Sequence, residues 1–379
     1  MVIPYPLTVS SEPTTLAVLG GGQLGLMLGL AGVPLGLELR FLDPSADAPA
    51  GAVGTLVVAE LSDEAALIEV VDGATAVTFE WEGVPSSAAQ FLADRGLPVR
   101  PGARSLEVAQ DRLVEKQTFR ALGIPTPAFA AVDHADNLPR AIEAVGGLPA
   151  VLKTRRGGYD GKGQRVLCDA SDIEGAWDAV GAVPCILEQF ARFDRELSVL
   201  AVRGVDGTVA CWPLVENEHV DGILRVSYAP APNLDDALQA RGAAIAAQLL
   251  TELDHVGVLA VELFDVDGEL LANEIAPRVH NSGHWTIEGA DTSQFENHLR
   301  AVLGLPLGST AARGTSVMLN CIGTLPDRSA VLAVPGAHFH DYGKAARPGR
   351  KLGHVTIVND DDRDELMARV RALRALISR

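Results

Sequence analysis

Lys153-Thr154-Arg155-Arg156-Gly157-Gly158-Tyr159-Asp160-Gly161-Lys162-Gly163-Gln164 lies between two short strand-like runs, residues 150–153 and 164–167. It reads as a β-hairpin with a glycine-rich tip. Gly157, Gly158, Gly161 and Gly163 let backbone approach phosphate oxygens, and free amides in such a loop form an anion nest. Lys153 and Lys162 add positive charge. No Gly-Lys-Ser/Thr opens a helix here, so this is not a strand–loop–helix phosphate loop. The bland alternative is a flexible exposed hairpin, but hairpin tips seldom need this much cation beside this much glycine.

Upstream, strand and helix signals alternate to about residue 99, which predicts a parallel sheet with helices on its faces. A buried strand is expected over 16–19, a helix over 23–30, and a second strand over 37–42 ending at Asp43. Gly20-x-Gly22-x-x-Gly25 lies between the first strand and the helix, and with Asp43 it satisfies the dinucleotide-binding fingerprint. Three readings stand. The loop holds a dinucleotide, it merely packs helix on strand, or its amides hold another phosphate or an acidic substrate. Pro101-Gly102 breaks the alternation, and one helix is expected over 105–122.

Downstream of Pro125 and Pro127 the pattern changes. Strand-like runs at 185–187, 197–202, 258–264 and 269–275 predict an α+β region. Leu305-Pro306-Leu307-Gly308 marks a boundary, followed by strands at 317–321 and 354–357 and a final helix over 364–377. Residues 1–13 read as a tail or packing arm.

Several polar groups in the second half stand out. Glu188-Gln189-Phe190-Ala191 follows a strand, where backbone groups could meet a purine edge, and Glu196 begins the next strand. Glu262 and Glu274 flank the turn at 265–268. Carboxylates inside apolar strands are expensive unless paired or bound to a cation, and Mg²⁺ uses one or two of them. With Glu262 opposite Ala272 both carboxylates share a face; opposite Leu271 they do not. Arg278, His280, Asn281, Ser282 and His284 then crowd into seven residues. Lys344, Arg347, Arg350 and Lys351 place four cations in eight residues of a chain whose net charge is −18. That charge argues against non-specific nucleic-acid or membrane binding, so a local basic cluster points to one small anion. With 379 residues, 47% of them apolar, two or three domains are expected. Four scattered cysteines, no secretory signal and no apolar run of about 20 residues suggest the cytoplasm.

Taken in order, the lysine strand, glycine hairpin, Glu-x-Phe segment and Glu…Asn-Glu pair resemble the ATP-grasp superfamily. Gly20–Gly25 with Asp43-Pro44, Gly157–Gln164, Asn273–Thr286 and Arg347–Val355 look like the N5-carboxyaminoimidazole ribonucleotide synthetase family within it. The likeness covers residues 15 to 375. It implies a Rossmann-like N-terminal domain (14–118), a central ATP-grasp domain (119–308) and a small β-rich C-terminal domain (309–379). It also implies an α/β and α+β chain that uses ATP, Mg²⁺ and bicarbonate to carboxylate aminoimidazole ribonucleotide through carboxyphosphate. Family habit suggests a homodimer.

Carried over by position, Arg112 and Lys153 contact ATP phosphates under a closing loop of Gly158, Tyr159, Asp160, Gly161, Lys162, Gly163 and Gln164. Glu188, Gln189, Phe190 and Ala191 line the adenine, and Glu196 and His219 reach the ribose side. Glu262 and Glu274 hold the metal, with Asn273 nearby. Asp160 and Arg278 face the reacting carboxyl centre, and Asp160 orients the amine or takes its proton. Tyr159, His280, Asn281 and Ser282 surround the imidazole ribonucleotide. Lys344, Arg350 and Lys351 grip its phosphate, and Gly22, Gln23 and Leu24 belong to the same side. Leu26 and Trp81 are mild departures from the family pattern. The nearest enzyme rival is a formate-using ATP-grasp ligase acting on glycinamide ribonucleotide. An NAD oxidoreductase explains only residues 16–43, and a non-catalytic nucleotide sensor leaves the metal and phosphate ligands without a purpose.

Overall fold

The computed structural model describes residues 14–158, 163–359 and 362–377. The expectations placed on Tyr159, Asp160, Gly161 and Lys162, and on residues 1–13, lie outside the described residues.

The first sheet is parallel throughout. It holds β1 (Thr14–Leu19), β2 (Leu37–Asp43), β3 (Thr55–Val58) and β4 (Ala76–Phe79), in the order β3-β2-β1-β4. Alternate residues of β1 enter different cores, as a strand buried on both faces requires. Leu16 and Val18 pack with Met27, Phe41, Trp285 and Leu299; Ala17 and Leu19 pack with Leu67 and Phe79. The first of these cores joins the N-terminal sheet to the middle of the chain.

The glycine hairpin belongs to a second, antiparallel sheet. Its strands are β5 (Phe129–Val132), β6 (Ala150–Thr154), β7 (Gln164–Leu167) and β8 (Cys185–Gln189), in the order β5-β8-β6-β7. The largest sheet contains β9 (Arg195–Arg203), β10 (Val209–Cys211), β11 (Val215–Val220), β12 (Ile223–Ala229), β13 (Gly257–Val266), β14 (Glu269–Ala276), β15 (Thr315–Ile322), β16 (Ala337–Asp341) and β17 (Lys351–Asn359). Its main path runs β14-β13-β9-β11-β12-β15-β17-β16, with β10 beside β9. Because β12 pairs with β15, the C-terminal strands extend the central sheet. Along β13, Leu259, Val261 and Leu263 face the long Asp236–Glu252 helix, while Val258 and Ala260 face the N-terminal core. Glu262 continues that second face.

The helix expected over 105–122 is instead two helices, Ala103–Ala109 and Arg112–Ala121. Asp111 is extended, and its carboxylate accepts the Leu113 N–H at 3.0 Å to cap the second helix. Arg155, just past β6, donates to the same carboxylate at 3.0 and 2.7 Å. A cap and a forked ion pair outweigh the modest gain of running one helix through.

Candidate active site

The carboxylate pair is set by a β-bulge. Neither register open to the sequence reading occurs. Leu263 faces Ala272, but Glu262 faces Glu274, and Asn273 is the extra residue between them. The insertion reverses the phase of β14: Leu270 and Ala272 enter the core before it, Ile275 after it. In an unbroken strand Glu274 would follow Leu270 and Ala272 inward. Instead it stands opposite Glu262. Burial first, and the charge of Glu274 second, push Glu262 up to about 7. The Oδ1 of Asn273 is buried and has no protein partner. Among the described residues no three His, Cys, Asp or Glu side chains form a cage for an ion. Two repelling carboxylates beside an idle amide oxygen suit Mg²⁺, which completes its shell with water and phosphate oxygens.

A cationic floor lies next to this pair. Arg112 donates to the carbonyls of Thr154 (3.1 Å) and Gly158 (2.8 Å), and lies 3.8 Å from Glu274. It thereby ties the stem of the glycine hairpin to the carboxylate pair. Lys153 and the buried Lys116 sit 3.0 and 3.5 Å from one oxygen of Glu188. Burial pushes the Glu188 carboxyl upward, but the two ammonium groups overcome this and hold it at about 2. The side chain of Glu188 therefore faces the lysines. The Gln189 and Phe190 amides bond the carbonyls of Ala128 and Pro149, which pins the segment leading to Ala191. Glu196 pairs with His219 nearby. Gln164 is an exposed residue of β7, and Gly163 accepts from Thr154 N–H at 2.8 Å.

The glycine turn of the N-terminal sheet is already filled. Glu80, at the end of β4, accepts the N–H groups of Gly22 (3.0 Å), Leu24 (3.1 Å) and Gly25 (3.0 Å). A Cβ on Gly22 would lie 2.8 Å from the Glu80 carboxylate, so a side chain there would have to displace the group that its own N–H holds. Asp43 turns back to accept from Gly21 at 2.7 Å. The dinucleotide reading and the reading of an external anion on these amides both give way to an internal carboxylate. The side chain of Gln23 accepts from Lys344 at 2.6 Å, so the N-terminal turn meets the C-terminal cation cluster. Burial first, then Arg350, lowers Lys344 to about 8.

Between these parts stands Arg278. It pairs through Nε with Glu82, two residues beyond Glu80, and donates to Val279 O at 2.9 Å. His280 Nε2 lies 3.3 Å from Glu262. Asn281 exchanges hydrogen bonds with Asn320 at 3.3 and 2.9 Å. Ser282 is fully buried, with its hydroxyl behind the His280 ring rather than on the open side.

A ribonucleotide synthetase preATP-grasp domain matches residues 14–110, an ATP-grasp domain residues 117–295, and a phosphoribosylaminoimidazole carboxylase C-terminal domain residues 316–369. N5-carboxyaminoimidazole ribonucleotide synthase of Pseudomonas aeruginosa is 53% identical over 96% of this chain and 99% of its own. The chain belongs to that synthase family. The Thermus thermophilus synthetase structure superposes with a TM-score of 0.92 at 56% identity, covering 96% of this chain and 99% of that one. An Aspergillus clavatus synthase in complex with ADP and 5-aminoimidazole ribonucleotide matches at 32% identity and a TM-score of 0.90, covering 97% and 99%. As a member of the synthase family, the chain is an ATP-grasp ligase that uses ATP with Mg²⁺.

Several residues of this synthase site escape sequence reading. Glu80 and Glu82 had a signal: two carboxylates at the C-terminal end of a parallel strand, where α/β sheets place their sites. Glu115 and Lys116 had none, because a charged pair on a helix reads as solvated surface. Burial first, and Glu274 second, raise Glu115 to about 8, and its carboxyl accepts the Ile275 N–H at 2.7 Å. It thus holds the backbone just past the bulge.

Proposed function

We propose that this chain carboxylates the exocyclic amine of 5-aminoimidazole ribonucleotide, consuming ATP and bicarbonate and releasing ADP and phosphate. The Glu262–Glu274 pair, opposed across the Asn273 bulge within reach of Arg278 and His280, carries this reading together with family membership. A bicarbonate oxygen attacks the γ-phosphorus and ADP leaves. The amine nitrogen then attacks the carboxyl carbon, phosphate leaves, and the nitrogen gives up a proton. Glu262 and Glu274 would hold Mg²⁺, which when bound would neutralise charge on the transferred phosphoryl oxygens. Arg112 and Lys153 orient the phosphates, and Arg278, braced by Glu82, stabilises charge on the carboxyl oxygens. Lys344, Arg350 and Lys351 anchor the ribonucleotide phosphate, whose binding energy positions the amine. Asp160 is assigned to orienting that amine or taking its proton.

The reading includes three domains divided near residues 118 and 308, a cytoplasmic setting and a homodimer. Free thiols at Cys168, Cys185, Cys211 and Cys321 are in keeping with that setting. Among the described residues no helix is long and apolar enough to cross a membrane. The test is ADP release in Mg²⁺ buffer with bicarbonate and the ribonucleotide omitted in turn. Release should fall sharply with either omission. Equal turnover without the ribonucleotide overturns the assignment, and activity with formate in place of bicarbonate would favour the formate-using rival.

A further inference from the structure

We infer that a buried hydrogen-bond wire, Ser227–Asn217–Ser198–Ser282, fixes the ring proton of His280 on Nε2, making this ring a hydrogen-bond donor toward the site. Ser227 Oγ donates to Asn217 Oδ1 at 2.8 Å, and Asn217 Nδ2 donates to Ser198 Oγ at 3.0 Å. Ser198 Oγ then donates to Ser282 Oγ at 2.8 Å, and Ser282 Oγ lies 2.9 Å from His280 Nδ1. The three serines are 0% exposed and Asn217 is 7% exposed, so water does not compete for these groups.

The direction of the wire follows from both ends. Asn217 Nδ2 can only donate, so Ser198 accepts from it, which frees the one Ser198 proton for Ser282. Ser282 has then one proton left, and it points to Nδ1. From the other end, the backbone N–H of Ser282 also points at His280 Nδ1, at 3.4 Å. Two donors meet that nitrogen, so it carries the lone pair and Nε2 carries the hydrogen. Gln294 clamps the His280 backbone on both sides, accepting from its N–H at 2.8 Å and donating to its carbonyl at 2.7 Å. A turn of the ring that exchanged its nitrogens would break both Ser282 contacts to Nδ1.

The consequence for the proposed reaction is specific. A ring that presents N–H to the site can hold a carboxylate oxygen, and Glu262 Oε1 lies 3.3 Å away, but it offers no lone pair for the proton leaving the amine. His280 orients, and the proton departs elsewhere. This role in turnover rests on the proposed reaction; the position of the proton does not.

The test uses the full-length chain with ¹⁵N-labelled histidine. The His280 ring signals are assigned by their loss in His280→Gln. The wild type should show an unprotonated Nδ1 and a protonated Nε2. Asn217→Asp replaces the donor with a group that only accepts, so Ser198 and Ser282 should reverse and Nδ1 should gain the proton. We expect kcat to fall about 10- to 100-fold, the usual range for removing such a supporting contact, with KM for ATP nearly unchanged. Should that variant not fold, Ser198→Ala breaks the wire without adding charge and should give a mixture of tautomers, with Ser198→Thr restoring the wild-type signals. A protonated Nδ1 in the wild type overturns the inference, as does Asn217→Asp or Ser198→Ala leaving tautomer and kcat untouched. Correct wild-type tautomers in a chain that does not respond to the ribonucleotide would reject the proposed function and leave the wire standing.

Discussion

Lys116 carries an ammonium group into a place where it is only 1% exposed. It is satisfied there by Thr126 Oγ1 at 3.1 Å, the Ala272 carbonyl at 3.2 Å and Glu188 at 3.5 Å. Lys116→Met keeps the length of the stem but leaves Glu188 with Lys153 alone. Removing one partner from a buried pair costs about 3–5 kcal/mol, and the surviving lysine places this case near the lower end. Urea unfolding should record that loss, and KM for ATP should rise because Lys153 is drawn toward Glu188. An unchanged midpoint would show that Lys116 is replaceable packing. The sequence hides this residue, since Glu115 and Lys116 are adjacent and both buried, which no helical period predicts. Glu262 and Glu274 are legible for the opposite reason: an ionised group inside an apolar strand demands an explanation. Only their register is beyond reach, because a bulge is defined by its partner strand.

Asp111 matters at the scale of elements. It ends one helix, starts the next, and fastens the stem of the glycine hairpin through Arg155. Asp111→Ala removes a cap worth about 1 kcal/mol and a charge-assisted pair worth about 1.5–3 kcal/mol. The expected destabilisation, on the order of 3 kcal/mol, is measurable by calorimetry. Asp111→Asn keeps the cap and should cost less; a variant as stable as wild type would deny the ion pair a role, and equal losses in the two variants would deny the cap one. The hydrophobic pattern locates β1, β2, β6, β9, β13 and β17 within a few residues. It misses β11, Val-Glu-Asn-Glu-His-Val, because the inward position holds Asn217 instead of an aliphatic residue. Periodicity reads greasy cores, and this core is partly wired with hydroxyls and an amide.

For the whole molecule, two histidines sit on the seam between the N-terminal sheet and the central one. His298 bridges Thr78 (2.8 Å) and Val258 N–H (3.1 Å); His255 bridges Ser105 and Val258 O, each at 3.0 Å. Burial pushes His255 down to about 4 and His298 down to about 3. Below pH 6.5 the unfolded chain therefore binds protons that the folded chain refuses, and each ring subtracts stability as pH falls toward its folded value. Glu115 and Glu262, raised to about 8 and about 7, act in reverse and gain stability as pH falls toward 4.5. The informative quantity is thus a difference. The stability advantage of wild type over His255→Gln should shrink by about 1.4 kcal/mol per pH unit below 6.5, as read from denaturation curves at several pH values. A constant advantage would mean that His255 is not held neutral. The parallel N-terminal sheet was readable from its alternation, whereas the joining of β12 to β15 was not, since no local pattern links strands some 90 residues apart.

Glu80 has a consequence for life in a cell crowded with phosphorylated metabolites. A carboxylate tethered to the same chain as the amides it occupies has an effective concentration far above that of any dissolved anion. NADH, inorganic phosphate and free nucleotides would all meet a loop whose amides already hold a carboxylate. The N-terminal unit keeps the glycine signature of a receptor while being deaf to the compounds that signature usually announces. Its guest is encoded in the gene and present at one copy per chain, so a dissolved anion would have to displace a tethered carboxylate to reach these amides.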